Sequence, residues 1–233
     1  KPSEYTPGVG VWLADAWRRA VAERPDVLQV VTGLGATGAA LCRSGVDKVA
    51  FTGSAPTGRK VMAACAEGLV PVLMECGGKD AMIVDDDADV TAAVDAALWG
   101  GMSNAGQTCV GIERVYATDA VYDRFVAELA DRAAEVRTGS GDDAHYGPIT
   151  MPGQVAIIER HIAEAVADGG RIVTGGTVVD GVVAPTVLVD VPEDSAAVRE
   201  ETFGPTLTVA RVRSAEEAVE RTNATPYGLA GAI

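Results

Sequence analysis

With 233 residues, 48% of them hydrophobic and 22% charged, the chain can bury one large domain or two small ones and is not disordered. Against 33 acidic side chains stand 19 basic ones, a formal net charge of -14, which repels phosphate backbones and anionic lipid and argues against nucleic-acid and membrane partners. No apolar run reaches the roughly 18–20 residues of a bilayer span, and the first residues lack the basic and apolar blocks of a signal peptide, so a cytoplasmic chain is expected. Only 4 of the 19 basic residues are Lys, and Ala, Val, Gly and Asp abound, which reads as the codon bias of a GC-rich bacterial genome. Lys1-Pro2-Ser3-Glu4 has no initiator Met, and the apolar end Tyr227–Ile233 has no polar tail. Both ends read as cut.

Residues 8–24 have helical spacing, with Val11, Ala14, Trp17 and Val21 on a common face, and Pro25-Asp26 as the break. Val27–Val31 reads as a short strand leading into Gly33-Leu34-Gly35-Ala36-Thr37-Gly38 and a helix to Ser44. Lys48–Thr52 is a second strand, Gly53-Ser54 opens a helix to Glu67, and Val70–Met74 is a third strand ending at Glu75-Cys76-Gly77-Gly78. This β-α-β-α-β order implies a parallel sheet with right-handed crossovers. The pattern then restarts, and a boundary near residue 75 is expected. Ala81–Val84 reads as a strand, Asp89–Trp99 as a helix, Gly100–Gly106 as a loop and Ile112–Ala117 as a strand. Asp119 is placed to cap a helix carrying Tyr122, Phe125, Val126, Leu129, Ala133 and Val136 on one face. Gln154–Ala167 and Ala215–Thr222 read as helices; Arg171–Thr174, Pro185–Val189 and Leu229–Ile233 read as strands.

Gly33, Gly35 and Gly38 spell G-x-G-x-x-G between a strand and a helix, geometry that serves either a nucleotide's phosphates or simply a tight βα turn. The acid that usually ends the next strand is missing; Thr52-Gly53-Ser54 stands there. The run Asp85, Asp86, Asp87 and Asp89 is better read as helix-capping than as a metal site. Cys42, Cys65, Cys76 and Cys109 form no C-x-x-C pair and are expected to be free thiols. His145 and His161 have no Cys or His neighbour, so no zinc site is expected, and His161 reads as a partly buried edge residue. Cys109 differs from the other cysteines. It follows a Gly/Ser/Asn/Ala stretch in a loop, off any apolar face, where a nucleophilic thiol would sit. Glu75 ends an apolar strand before Gly-Gly, where α/β sheets place ligand sites, and is a candidate general base.

Several segments in order resemble the NAD(P)-dependent aldehyde dehydrogenase superfamily. Lys1–Pro7 resembles its K-P-S-E-x-T-P segment, Phe51–Ser54 its F-T-G-S, and Glu75–Lys79 its E-L-G-G-K with Cys76 in place of Leu. Asn104–Cys109 is similar to the nucleophile motif, Glu200–Pro205 to E-E-x-F-G-P, and Asn223 with Tyr227–Leu229 to N-x-x-x-Y-G-L. The resemblance implies an incomplete aldehyde dehydrogenase fold: residues 1–75 as the C-terminal part of a Rossmann-like NAD(P)-binding domain, and residues 76–233 as an α/β catalytic domain lacking its end. It implies Cys109 as the catalytic thiolate and Glu75 as the base. Lys1 and Glu4 would lie at the adenosine ribose, Gly33 and Ser54 along the adenosine and pyrophosphate, Glu201 at the nicotinamide ribose and Phe203 beside the nicotinamide. The expected cofactor is NAD or NADP, the substrate a small aldehyde, and the parent protein a homodimer or homotetramer with no metal. The stretch around Cys109 looks most like the semialdehyde dehydrogenase group, such as succinate semialdehyde. Family members are about twice as long and supply an oxyanion-stabilising Asn upstream, so the chain alone is expected to be weakly active or inactive. A non-catalytic nucleotide-binding or assembly module is the alternative.

Overall fold

In the computed structural model, which describes residues 1–233, the chain divides into two units, Lys1–Cys76 and Gly77–Ile233. In the first, α1 spans Pro7–Ala20. Pro7 presets the first-turn φ and has no N–H to leave orphaned. The helix stops short of the expected Arg24: the N–H of Val21 bonds back to the Trp17 carbonyl, and Trp17 Nε1 donates to the Arg24 carbonyl at 2.9 Å, folding the exit back on the helix. α2 (Gly35–Cys42), β1 (Val49–Gly53), α3 (Ala55–Ala66) and β2 (Val72–Cys76) follow. β1 and β2 pair in parallel, with Thr52 opposite Glu75 and Gly53 opposite Cys76. The expected strand at Val27–Val31 does not form. The sheet of this unit has only β1 and β2, so the segment finds no ladder for its backbone groups, and Val27 and Val31 stay exposed. β2 begins two residues later than the pattern indicates, because the N–H of Val70 is still tied to the Cys65 carbonyl at the end of α3. Cys42, Ala64 and Cys65 form the small core with Val49, Val61, Val70 and Val72.

The second unit is built on one six-stranded sheet. Its strands are β3 (Asp80–Val84), β4 (Ile112–Thr118), β5 (Arg171–Thr174), β8 (Thr186–Val189), β9 (Thr206–Val212) and β10 (Gly231–Ala232), with a separate hairpin of β6 (Val178–Val179) and β7 (Val182–Val183). The order is β10-β3-β4-β9-β8-β5. All neighbours are parallel except β5 and β8. Side chains alternate across the sheet with the period of two that strands impose. Met82, Val84, Val115, Ala117, Leu207 and Val209 face the large core with α4 (Val90–Met102) and α5 (Tyr122–Ala134), which contribute Val94, Ala97, Phe125 and Leu129. Ala81, Ile83, Tyr116 and Val212 face the other way, onto Ala218 of α8 (Ala215–Thr222). α6 (Pro152–Ala167) and the short α7 (Ala196–Arg199) complete the unit.

Four expectations are corrected here. β9 has no counterpart among the expected strands, yet it lies between β4 and β8 at the middle of the sheet. Asp119 does not cap α5: the N-cap is Val121 with no side-chain bond, and Asp119 instead accepts from Arg211. Gly100–Met102 belong to α4, not to a loop. The final strand is the pair Gly231–Ala232 alone. The acidic run behaves as capping chemistry requires: Asp89 accepts from the N–H groups of Thr91 and Ala92 at 3.1 and 3.2 Å.

Candidate active site

In the first unit, the candidate cofactor residues collect at two places. Lys1 Nζ donates to the Gly33 carbonyl at 2.8 Å and to the Pro2 carbonyl at 2.7 Å, and lies 3.6 Å from Glu4 Oε2. Lys1, Glu4 and Gly33 are therefore together. Gly33 sits at φ 139, and a Cβ there would collide with the Thr37 hydroxyl, so only glycine fits this turn. Ser54 is the N-cap of α3 but bonds the Thr57 hydroxyl at 3.1 Å and caps no backbone group. The α2 N-terminus also has no side-chain cap. First-turn N–H groups with no capping side chain, beside a lysine ammonium, are the donor set that a pyrophosphate takes. Ser54 and Glu75 share the C-terminal edge of the β1–β2 pair, where parallel sheets place ligand sites. Glu75 is exposed, on the same face of β2 as Leu73. Cys76 packs inward: its Sγ lies 3.1 Å from where a Cβ on Gly58 would stand, so Gly58 lets α3 approach the sheet.

In the second unit, Cys109 is a free, partly exposed cysteine. The chain reaches it through the tight turn Ser103–Gly106, in which Asn104 and Ala105 are left-handed at φ 54 and 57. Such backbone needs support, and Asn104 provides part of it. Its Nδ2 donates to the Gln107 carbonyl at 3.0 Å, while Gln107 Nε2 donates back to the Asn104 carbonyl at 3.0 Å. Gln107 Oε1 also accepts from the N–H of Thr150 at 2.8 Å. Gly106, at φ 69, lies against the Gly204 carbonyl so closely that any side chain would collide. The thiol-bearing loop is thus seated on the Glu200–Pro205 segment that carries Glu201 and Phe203.

That segment is held by a buried polar cluster. Lys79 Nζ donates to Glu113 Oε2 at 2.5 Å and to Thr202 Oγ1 at 3.0 Å. Glu113 also accepts from the N–H groups of Thr202 at 2.8 Å and Phe203 at 2.9 Å. Burial holds Lys79 below its ordinary pKa, opposed by the Glu113 charge. His161, read from sequence as an edge residue, is only 1% exposed. It lies 3.0 Å from Thr202 Oγ1 through Nδ1 and 2.9 Å from Arg160 Nη2 through Nε2. Burial and the neighbouring cations lower its pKa. Nε2 also lies 3.3 Å from Glu200 Oε2; the tautomer that accepts from Arg160 at Nε2 donates from Nδ1 to Thr202. Arg114, adjacent to Glu113, spends its donors on the carbonyls of Lys79, Arg221 and Thr222 and on the Tyr116 hydroxyl.

Glu201 is half-buried, its carboxylate so close to Gly77 that a side chain there would collide. Burial first, and the Glu113 charge second, push its pKa up to about 7, against the N–H of Gly78 and the charge of Lys79. Phe203 is half-buried at φ 51. Sequence reading gave no role to Lys79, Glu113, Thr202 or Gln154. A usable signal was present: Glu113-Arg114 are two consecutive charges inside an otherwise apolar strand, and buried charges need partners.

These units and their motifs carry a family signature along their whole length. The aldehyde dehydrogenase family model matches residues 1–233. A betaine aldehyde dehydrogenase from Cereibacter sphaeroides is 44% identical over all of this chain and 49% of its own length. A glutarate-semialdehyde dehydrogenase from Pseudomonas aeruginosa is 41% identical over 99% of this chain and 49% of its own. Among solved structures, lactaldehyde dehydrogenase from Escherichia coli superposes with a TM-score of 0.87 at 35% identity, covering 94% of this chain and 48% of that one. The chain therefore belongs to the aldehyde dehydrogenase family. It spans about half the length of the relatives it matches.

Proposed function

We propose that the protein containing this chain oxidises an aldehyde to a carboxylic acid with NAD or NADP, using Cys109 as nucleophile and Glu75 as general base. The observation that carries the reading is Cys109 itself, a free and partly exposed thiol on a loop whose turn is built from two left-handed residues and seated against Gly204. Residues 1–75 are assigned to the cofactor-binding domain and residues 76–233 to the catalytic domain. Lys1, Glu4, Gly33 and Ser54 would hold the adenosine and pyrophosphate, an assignment that fits the ammonium and the uncapped helix N-termini. Glu201 would bind the nicotinamide ribose and Phe203 would lie beside the ring.

In this mechanism the Cys109 thiolate attacks the carbonyl carbon, and its own backbone N–H is one donor to the resulting oxyanion of the thiohemiacetal. When bound, the nicotinamide supplies a two-electron acceptor for the hydride. Glu75 then takes a proton from water, which attacks the Cys109 thioester and releases the acid. The relatives named for betaine aldehyde and glutarate semialdehyde mark the substrates to assay first, with succinate semialdehyde beside them.

Iodoacetamide labelling near neutral pH, read by peptide mass, tests the assignment of the nucleophile on this chain. Cys42 and Cys65 are 5% and 1% exposed, and burial pushes the Cys65 thiol up. Cys109 is expected to react well before either. Equal rates would favour a non-catalytic module. In the full-length protein, Cys109→Ala should abolish aldehyde-dependent reduction of the cofactor. Glu75→Gln should retain a first-turnover burst and lose steady turnover.

A further inference from the structure

Thr202 is gripped on every polar atom by groups from separate stretches of the second unit. Its N–H is taken by Glu113 at 2.8 Å and its carbonyl by Gln154 Nε2 at 2.7 Å. Its hydroxyl meets Lys79 Nζ and His161 Nδ1, each at 3.0 Å. The next residue, Phe203, adopts φ 51, a conformation a side-chain-bearing residue keeps only where its surroundings over-determine it. What fixes it is again Glu113, which accepts the Phe203 N–H at 2.9 Å. One carboxylate thus captures two successive amides, while Lys79 pairs with it in a buried place.

We propose that Glu113 is a positioning residue for the dinucleotide: by holding the Thr202 and Phe203 amides it presets the turn that presents Glu201 and Phe203 to the nicotinamide half. The inference rests on the reading of Glu201 and Phe203 given under Proposed function. Its physical content is preorganisation. A turn already fixed in its bound shape needs no ordering when the ligand arrives, and affinity that would be spent on ordering is retained. Glu113 touches neither substrate nor the reacting atoms in this scheme; it acts through the backbone of the turn. The rival account is that Glu113 simply holds the core of the second unit together.

The test uses the full-length protein that contains this chain, with Glu113→Gln, and Glu113→Asp as the second variant should the glutamine form fail to fold. NADH and ADP are titrated separately, since ADP carries the adenosine and pyrophosphate but lacks the nicotinamide ribose and ring. Amide exchange of Thr202 and Phe203 is followed in parallel. Loss of a charge-assisted hydrogen bond predicts NADH binding weaker by about tenfold or more, with ADP binding unchanged and faster exchange at both amides. Unchanged NADH binding, or equal weakening of NADH and ADP, overturns the proposal, the latter in favour of general loosening. Glu201→Ala separates the two levels. If Glu201→Ala weakens NADH binding and Glu113→Gln does not, only the positioning role is lost. If Glu201→Ala leaves NADH binding intact, or the wild-type full-length protein takes neither ligand, the underlying cofactor reading falls and the positioning role falls with it.

Discussion

Replacing Lys79 by Met is the sharpest probe of the buried cluster. The side chain is similar in length and apolar, so little packing is lost, but the Glu113 carboxylate loses its cation in a place where Lys79 is 2% and Glu113 5% exposed. Breaking a buried pair by removing one partner typically costs about 3–5 kcal/mol. Here the lower end applies, because Glu113 keeps the N–H groups of Thr202 and Phe203. Lys79→Met is therefore expected to destabilise the second unit by about 3 kcal/mol at pH 7. Adding Glu113→Leu should not rescue it, unlike the usual apolar replacement of an ion pair, because two backbone donors are then stranded at about 1–3 kcal/mol each. Urea unfolding at pH 7 measures this, with Trp12→Phe and Trp17→Phe leaving Trp99 as the fluorophore of the second unit. A loss under 1 kcal/mol at pH 7, or a double variant as stable as wild type, would refute the reasoning.

Two further outcomes are expected. Glu201 has a folded-state pKa raised from 4.5 to about 7, so the native state binds the proton more tightly than the unfolded chain does. Its contribution is most favourable below pH 4.5 and is lost as pH rises through 7. The stability gap between wild type and Glu201→Gln should therefore shift against wild type across that window, and a gap independent of pH would contradict the burial of the carboxyl. Gly106→Ala should cost about 2 kcal/mol or more, because the position is left-handed and abuts the Gly204 carbonyl. Its thermal melt and the Cys109 alkylation rate should both change, and an unchanged melt would mean the loop is not seated as described.

The longer helices were legible because most write a 3.6-residue apolar stripe that a single stretch of chain satisfies by itself, whereas the four-residue α7 writes none and has no counterpart among the expected helices. Strands depend on partners elsewhere, and there the reading failed in both directions. Val27–Val31 has strand composition but no neighbour to pair with in its unit. Thr206–Val212 is rich in β-branched residues and central, yet its neighbours β4 and β8 lie elsewhere along the chain. Asp119 looked like a cap because acids often are; the structure uses it against Arg211. The motif residues at the site could be named from sequence since their spacing is local. The Glu113–Thr202 contact joins positions 89 apart, and nothing local to either residue announces the other.

The strand order carries a consequence for how the second unit is made. β3 and β4 are neighbours, and so are β5 and β8, but the strand that joins the two pairs is β9, near the end of the chain. On a ribosome emerging from the N-terminus, the β4 edge and the β8 edge wait unpaired until Val212 has been synthesised. Exposed strand edges of that kind recruit the wrong partner, so this interval is when the nascent chain is most open to aggregation and most in need of a chaperone. A chain cut just before Thr206 would present two half-sheets with their inner edges bare, while one cut after Val212 would have β3, β4, β9, β8 and β5 closed into a single ladder.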